Sequence, residues 1–303
     1  MVTVSIASRV YHCALAGVTT LALFFSPSGG ATAGEYVRVS PDLEIYYEEM
    51  GSGAPLIFNP GWTGTTAFFA QQLPHFADRY RVITYDPRSH GRSSKTLENN
   101  TYTQHGADLR AFMEALELED VVLVAHSWGC LDAYACFRAY GTDNVRAFVC
   151  IDMTPKYVAT EEADWGFLNK NDFDAIKGEM VSVAFNRREM MRGFAGSMVT
   201  RAFTEGEMSW LIDEVMKTPN HAALELEVDG MFADYSAEAK MIDGKAPVLN
   251  VPSDADVWTE SAKVWLASNA PNSEIFVLGL HMMSWEFPDQ FNSALDEFLK
   301  ELK

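Results

Sequence analysis

A run of five apolar residues, Val121 to Ala125, constrains the fold of this chain more than any other segment. Three of the five are β-branched valines and none is polar, so the run does not alternate between apolar and polar positions. A strand of this composition is typical of the interior of a parallel sheet, where helices cover both faces. The run therefore predicts a central β-strand in a largely parallel sheet.

Strands and helices are predicted to alternate along most of the chain. This alternation indicates an α/β fold, in which a mostly parallel central sheet has helices on both faces. The predicted strands are Tyr36–Val39 and Leu43–Met50 as an opening antiparallel pair, then Pro55–Asn59, Arg81–Tyr85, Val121–Ala125, Val145–Ile151, Pro247–Val251 and Ser273–Leu278. The predicted helices are Thr66–Phe76, Tyr102–Leu116, Trp128–Tyr140, Thr259–Ala267 and Asp289–Leu302.

The alternation stops in the middle of the chain. Between residues 156 and 244 there is no strong β-branched run, and methionine and aromatic residues recur in helical stretches. We therefore expect an α/β core formed by residues 34–155 and 245–303, with residues 156–244 inserted as a helical cap. Such a cap suits a pocket for an apolar acyl or aryl group, and the same residues equally suit the cap's own core.

The first 33 residues differ in composition from the rest of the chain. Arg9 is their only charged residue, an apolar stretch from Cys13 to Phe25 follows it, and the segment ends in Ala31-Thr32-Ala33. These features predict a secretory signal peptide over residues 1–33, and hence a secreted or periplasmic protein. An uncleaved membrane anchor is the alternative, but the apolar run is shorter than the roughly 20 residues that a spanning helix needs.

The chain is acidic. It has 23 Lys and Arg against 42 Asp and Glu, which gives a formal net charge of −19. Such a surface repels nucleic acid and anionic membranes. We therefore expect no nucleic-acid partner and no stable membrane association after cleavage of the leader. The charge says nothing about the reaction, and the oligomeric state is not visible in the sequence.

Ser127 is the candidate nucleophile because of its position. It lies in Ala125-His126-Ser127-Trp128-Gly129, at the junction of the predicted central strand and a predicted helix. A serine on such a sharp turn needs small flanking residues, and Ala125 and Gly129 are small. The turn lifts the hydroxyl out of the sheet and directs the N-terminus of the helix at the reaction centre.

His281 is the candidate general base, which a serine hydroxyl needs at neutral pH. It lies between the last predicted strand and the last predicted helix, in a loop at the sheet edge where the Ser127 turn is also expected. The side chain of His126 is expected to point away from that of Ser127. His90 and His105 are interpreted as surface or loop histidines.

Two aspartates compete to orient the imidazole and stabilise its protonated form. Asp256 follows the predicted strand Pro247–Val251, whereas Asp152 ends the strand before it. Both lie at C-terminal strand ends, and both fit the chain order serine, acid, histidine. We favour Asp256 and keep Asp152 as the alternative acid; Asp254 is a weaker third choice.

The oxyanion of a tetrahedral intermediate needs two hydrogen-bond donors. We expect the backbone N–H of Trp128, directly after the nucleophile, to be one of them. We expect the backbone N–H of Trp62 to be the other, since it lies in the loop after the predicted strand Pro55–Asn59. In that loop Gly61 allows the backbone to approach a substrate closely.

Five segments together carry a resemblance to a known family. They are NPGWTGTTAFFAQQL from Asn59, RVITYDPRSHGRSS from Arg81, VVLVAHSWGC from Val121, DADVW from Asp254 and GLHMMSWEF from Gly279. In this order they resemble α/β hydrolases, most closely the branch of cofactor-free haloperoxidases, perhydrolases and aryl esterases. The resemblance implies an α/β-hydrolase fold over nearly all of the chain after the leader, faintly in the cap. It also implies that the block from Asp86 to Ser93 supports the loops below the site.

The chain departs from this family at two places. Pro60-Gly61 stands where the family has His-Gly in the oxyanion loop, and Ser253 replaces the usual glycine before the acid. Some relatives, including cofactor-free dioxygenases, carry the acid after the earlier strand, as Asp152 does. The departures leave the expected fold intact and leave the acid and the substrate open.

These features predict a serine hydrolase that cleaves an ester or lactone of a small, apolar molecule through an acyl-enzyme. The sequence shows no metal-ligand cluster and no glycine-rich phosphate loop, so no metal and no cofactor are expected. One alternative keeps the site but makes it a perhydrolase, a cofactor-free haloperoxidase or a dioxygenase, in which His126 and Asp152 would matter more. Another is a non-catalytic binding module, which the retention of candidates for all three triad positions argues against.

Overall fold

A nine-stranded sheet forms the centre of the protein in a computed structural model that describes residues 10–11 and 34–302. The strands of these residues are β1 (Val10–Tyr11), β2 (Glu35–Ser40), β3 (Leu43–Met50), β4 (Ala54–Asn59), β5 (Tyr80–Tyr85), β6 (Val121–His126), β7 (Val145–Ile151), β8 (Val158–Ala159), β9 (Leu168–Asn169), β10 (Val248–Val251) and β11 (Glu274–Phe276). The order in the sheet is β1-β11-β10-β7-β6-β4-β5-β3-β2. Strand β3 is antiparallel to β2 and β5, and the other neighbouring pairs are parallel. The predicted mostly parallel sheet and its opening antiparallel pair are confirmed.

Helices cover both faces of this sheet. After the 3₁₀ helix Thr66–Phe69 they are α1 (Gln72–Phe76), α2 (Tyr102–Ala115), α3 (Gly129–Tyr140), α4 (Phe173–Ala195), α5 (Glu205–Val215), α6 (Asn220–Phe232), α7 (Ser236–Asp243), α8 (Asp256–Asn269), α9 (Met283–Glu286) and α10 (Pro288–Glu301). All six residues of β6 are buried. Leu123 belongs to the same apolar cluster as Phe137 of α3, whereas Val124 belongs to the opposite cluster with Phe291 of α10. Strand β6 is therefore covered on both faces, as its composition predicts.

One predicted helix, Thr66–Phe76, is divided in the structure. The 3₁₀ helix is capped by the side chain of Thr65, which accepts a hydrogen bond from the Ala67 N–H, and α1 begins only at Gln72. Proline has no N–H, so Pro74 cannot donate the hydrogen bond that a continuous helix requires at its position. It is tolerated within the first turn of a new helix, where that N–H has no intrahelical acceptor.

Helices α4 to α7 lie between β7 and β10, in the segment predicted to be helical. The two-residue strands β8 and β9 form a separate parallel pair there; strands so short leave no periodic signal in a sequence. Met191 of α4 and Leu211 of α5 share an apolar cluster with Met282, the neighbour of His281. These helices therefore pack against the loop that carries the candidate base. The proposed cap boundaries at residues 156 and 244 stay a prediction.

The predicted signal peptide lies outside the described residues, apart from β1. That strand pairs in parallel with β11, with Val10 opposite Ile275 and Tyr11 opposite Phe276. Cleavage after Ala33 would remove β1 and leave β11 at the edge of the sheet. Over the part of the chain that the structure describes, no helix combines the length and the apolar character needed to cross a membrane.

Candidate active site

Ser127 lies on a strained turn between β6 and α3. Its φ of 53° is in the left-handed region, which non-glycine residues adopt at a cost. The Ser127 N–H donates to the carbonyl of Ile151 at 2.7 Å, which ties the turn to the end of β7. A Cβ on Gly129 would lie 2.5 Å from the carbonyl oxygen of Pro60, so only glycine fits after this turn. These features are those of a nucleophile elbow.

The imidazole of His281 is oriented by a buried carboxylate. Its Nδ1 lies 2.7 Å from Oδ2 of Asp152. Since a carboxylate only accepts hydrogen bonds, Nδ1 carries the proton and Nε2 is left free to accept one. His281 and Ser127 line the same cavity. This tautomer is the one that a general base for a serine hydroxyl needs.

Asp152 is held ionised by the groups around it. Its Oδ1 accepts hydrogen bonds from the Ser253 N–H and from Nε1 of Trp258, both at 2.8 Å. Burial raises the pKa of Asp152, but the hydrogen bond and charge of His281, together with the Ser253 N–H, lower it to about 2. The carboxylate is therefore negatively charged at neutral pH and can stabilise a protonated imidazole.

The preference for Asp256 over Asp152 in the sequence analysis is corrected here. Asp256 is the first residue of α8, and its side chain is exposed to solvent in a separate surface cavity with Asp254. After β10 ends, the Ser253 N–H turns toward Asp152, and the chain then runs outward to the start of α8. The structure therefore brings Asp152, and not Asp256, to His281.

His126 lines the same cavity as Ser127, although its side chain was expected to point away from that of Ser127. Its Nε2 donates to the carbonyl oxygen of His281 at 2.8 Å, and the two rings are 4.7 Å apart. A carbonyl only accepts hydrogen bonds, so Nε2 carries the proton. Burial, followed by the nearby His281, lowers the pKa of His126 to about 3. A neutral His126 therefore holds the backbone of the loop that carries the candidate base.

The two expected oxyanion donors face one cavity. Trp62 and Trp128 both line it together with Ser127. Among the described residues, neither the Trp62 N–H nor the Trp128 N–H has a hydrogen-bond acceptor, so the protein itself uses neither donor. A Cβ on Gly61 would lie 2.6 Å from Cβ of Ser127 and 3.2 Å from its Oγ. Gly61 is needed because the oxyanion loop passes directly beside the nucleophile.

We expect Gly61→Ala to lower kcat/KM for ester hydrolysis by about 10²- to 10³-fold, which is the cost of losing one oxyanion donor. The added methyl group must displace either Ser127 or the loop that carries the Trp62 N–H. Initial rates on a neutral aryl ester measure the effect. Gly206→Ala is the matched control, since a Cβ there meets no atom within 4 Å. Equal rates for the two variants would contradict this role of the loop.

The block from Asp86 to Ser93 anchors the oxyanion loop from below. The Thr63 N–H donates to Nε2 of His90 at 2.9 Å, and the Thr66 N–H donates to Oδ1 of Asp86 at 2.8 Å. Arg88 forms a bidentate ion pair with Asp108, in which Nε lies 2.6 Å from Oδ2 and Nη2 lies 2.9 Å from Oδ1. These contacts fit the supporting role that the resemblance implied. His90 lies in a loop, as expected from the sequence, but its side chain is buried.

His90 and His126 are expected to stay neutral at pH 5. Burial, followed by a neighbouring histidine, lowers the pKa of each to about 3 from an ordinary 6.5. At a pH between about 3 and 6.5 the unfolded chain binds a proton at each histidine that the folded protein does not bind. The free energy of unfolding therefore falls as the pH falls through this range. Each histidine costs on the order of 2 kcal/mol of stability at pH 5. Ring ¹⁵N shifts measure the charge directly, and imidazolium shifts at pH 5 would contradict this assignment.

The cavity that contains these groups has a volume of about 560 Å³, within the range of small-molecule sites. Much of its wall is methionine and aromatic, as expected for a pocket for apolar groups, and it includes Met153, Met190, Phe194, Met198 and Trp258. Two carboxylic acids, Glu179 and Glu227, also line it. In the described residues no group of three or more His, Cys, Asp or Glu is arranged to hold a metal ion.

Comparisons with known proteins agree with this geometry. A family model described as the alpha/beta hydrolase fold matches residues 54–205. A non-heme chloroperoxidase from Kitasatospora aureofaciens is 26% identical over 276 residues, which cover 86% of this chain and 97% of that protein. A bifunctional esterase/perhydrolase from Acinetobacter calcoaceticus is 28% identical over 148 residues, 48% of this chain and 54% of that protein.

The solved structures agree as well. The crystal structure of a bromoperoxidase from Bacillus anthracis has a TM-score of 0.78 and 25% identity, and the match covers 88% of this chain and 100% of that one. The fold predicted from the sequence is confirmed, and so is the resemblance to haloperoxidases, perhydrolases and esterases.

Proposed function

The chain belongs to the alpha/beta hydrolase fold family, and on that premise we propose that it is a serine hydrolase that cleaves a carboxylic ester or lactone. The substrate is small and largely apolar, as the cavity wall is. The observation that carries the proposal is the hydrogen bond from Nδ1 of His281 to Asp152, at 2.7 Å, in the cavity that Ser127 lines. We assign Asp152 as the acid in place of Asp256.

In the proposed reaction, Oγ of Ser127 attacks the ester carbonyl while Nε2 of His281 takes its proton. The resulting oxyanion accepts hydrogen bonds from the N–H groups of Trp62 and Trp128. Asp152 stabilises the protonated imidazole, which then gives the proton to the departing alkoxide as the carbon–oxygen bond breaks. The acyl-enzyme is hydrolysed by water, with His281 again acting as the base.

Labelling with a fluorophosphonate probe tests this function. The probe phosphonylates an activated serine hydroxyl, and peptide mass mapping identifies the residue that carries it. We expect the label on Ser127 and none on the Ser127→Ala variant. If another serine is labelled in both the variant and the wild type, Ser127 is not the nucleophile. The same follows if a preparation that hydrolyses esters takes up no label.

Perhydrolysis is the second candidate, favoured by the similarity to a protein named an esterase/perhydrolase. Hydrogen peroxide would replace water in the second half of the reaction, so that the acyl group leaves as a peracid and Ser127 is regenerated. Peracid formation from a simple ester, measured with and without peroxide, separates the two reactions. Ester cleavage whose products contain no peracid leaves hydrolysis as the activity.

A further inference from the structure

Two glutamates from the helical segment meet at the wall of the candidate active-site cavity. Glu179 lies on α4 and Glu227 lies on α6, and both line the cavity. Glu227 is only 3% exposed, and its Oε1 has no hydrogen-bond partner within the described chain. Burial, followed by the charge of the neighbouring Glu179, raises the pKa of Glu227. We call these two residues the glutamate pair.

Aromatic rings connect the glutamate pair to the candidate nucleophile. The hydroxyl of Tyr157 donates to Oε1 of Glu179 at 2.9 Å. The ring of Tyr157 lies 5.0 Å from that of Trp128, the residue after Ser127, and 5.3 Å from that of Phe167. All these residues line the cavity. One ligand that reaches Ser127 can therefore also contact aromatic rings and the glutamate pair.

The charge of the glutamate pair is not balanced by the protein. Like charges repel, so two neighbouring carboxyl groups ionise together less readily than one alone, and the pair carries a single negative charge when one of them is ionised. Of the described residues that line the cavity, none is a lysine or an arginine. A negative charge in an apolar cavity is unfavourable when no positive charge lies beside it. A positively charged group in the cavity would relieve that cost.

We propose that the glutamate pair binds an ammonium group on the substrate, so that the preferred ester carries a positive charge. The carboxylate supplies the opposite charge, and the rings of Tyr157 and Trp128 supply faces that attract cations. The rest of the cavity accepts the apolar part of the molecule. That this ligand is a substrate rests on the proposed ester hydrolysis. The cation site itself can be tested without turnover.

Binding of choline and of 3,3-dimethylbutan-1-ol to the wild-type chain tests the proposal. The two probes have nearly the same shape and the same hydroxyl group, and differ in the positive charge. We expect calorimetry to give choline a Kd at least about tenfold lower than that of its uncharged counterpart. Equal binding, tighter binding of the neutral probe, or no binding of choline overturns the proposal.

Two variants test whether the glutamate pair causes the preference for choline over its uncharged counterpart. Either carboxylate alone can keep the charge, so the decisive variant is Glu179→Gln/Glu227→Gln. Glu189→Gln/Glu225→Gln is the matched control, because it removes two exposed carboxylates from the same two helices. We expect the tenfold preference to fall to about threefold or less in the first variant and to persist in the control. A preference that survives in both variants overturns the assignment.

Thermal unfolding of each variant shows whether it is folded. Glu179→Lys alone serves as the second variant if the double one is not, because a lysine at this partly exposed position cancels the charge that Glu227 can keep, and the preference for choline is then expected to be lost. Hydrolysis of 4-nitrophenyl acetate by the wild type is measured in parallel. If the neutral ester is cleaved but choline is not preferred, only this inference fails. If choline binding depends on the glutamate pair and no ester is cleaved, the cation site stands and the proposed hydrolysis fails.

Discussion

Replacing Ser127 with alanine is expected to lower kcat for ester hydrolysis by about 10⁶-fold, since loss of the nucleophile removes the whole covalent route. The residual rate would come from the oxyanion donors and substrate binding. Initial rates on 4-nitrophenyl acetate measure the loss, and Ser209→Ala on the exposed side of α5 is the matched control. A Ser127→Ala protein that keeps a tenth of the wild-type rate would show that the nucleophile lies elsewhere.

The same variant is expected to remain folded. Among the described residues Oγ of Ser127 has no hydrogen-bond partner, so its removal leaves no buried group without one. Alanine tolerates the φ of 53° no better and no worse than serine does. A melting temperature close to that of the wild type would therefore assign the loss of activity to chemistry.

Replacing Asp152 with asparagine is expected to lower kcat by about 10⁴-fold, while Asp256→Asn retains activity within about twofold. An asparagine amide can donate to Nδ1 of His281, which would move the imidazole proton to Nε2 and remove the base. The exposed carboxylate of Asp256 is the first residue of α8 and orients no histidine in the described structure. Steady-state kinetics on one neutral ester compare the two variants.

The outcome of this pair distinguishes the two acids directly. Loss of activity in Asp256→Asn alone would reinstate the acid favoured from the sequence and would require the loop after β10 to rearrange. Full activity in both variants would remove the aspartate from the proposed mechanism. A far larger loss in Asp152→Asn than in Asp256→Asn, with little change in the melting temperature of either, supports the assignment of Asp152.

The acid illustrates what local sequence cannot resolve. Asp152 and Asp256 both follow parallel strands, and the C-terminal ends of parallel strands all lie at one edge of the sheet. Which carboxylate reaches His281 depends on the path of two loops, and loop paths have no periodic signal. Asp152 itself has a φ of 49°, a left-handed backbone conformation that its residue type does not predict. The choice between the two acids therefore required the coordinates.

The contacts of His126 and Glu227 could not be predicted from the sequence, for a related reason. Each lies near residues far away in the chain: His126 donates a hydrogen bond to the backbone of His281, and Glu227 lines one cavity with Glu179 of another helix. A histidine beside the serine and a glutamate in a helix are ordinary in a sequence, and only packing gives them these partners. The methionine- and aromatic-rich composition pointed to an apolar pocket but not to a charged group within it.

The sequence by itself determined the mostly parallel sheet, the antiparallel pair that opens it, and the turn that carries Ser127. Each is encoded locally, in runs such as Val121–Ala125 and in the small residues next to the serine, because apolar periodicity and backbone sterics act over a few neighbouring residues. Only the tertiary structure decided that Asp152 meets His281 and that two glutamates share one cavity. Those contacts join segments about 50 to 130 residues apart, and their geometry is set by how loops and helices pack.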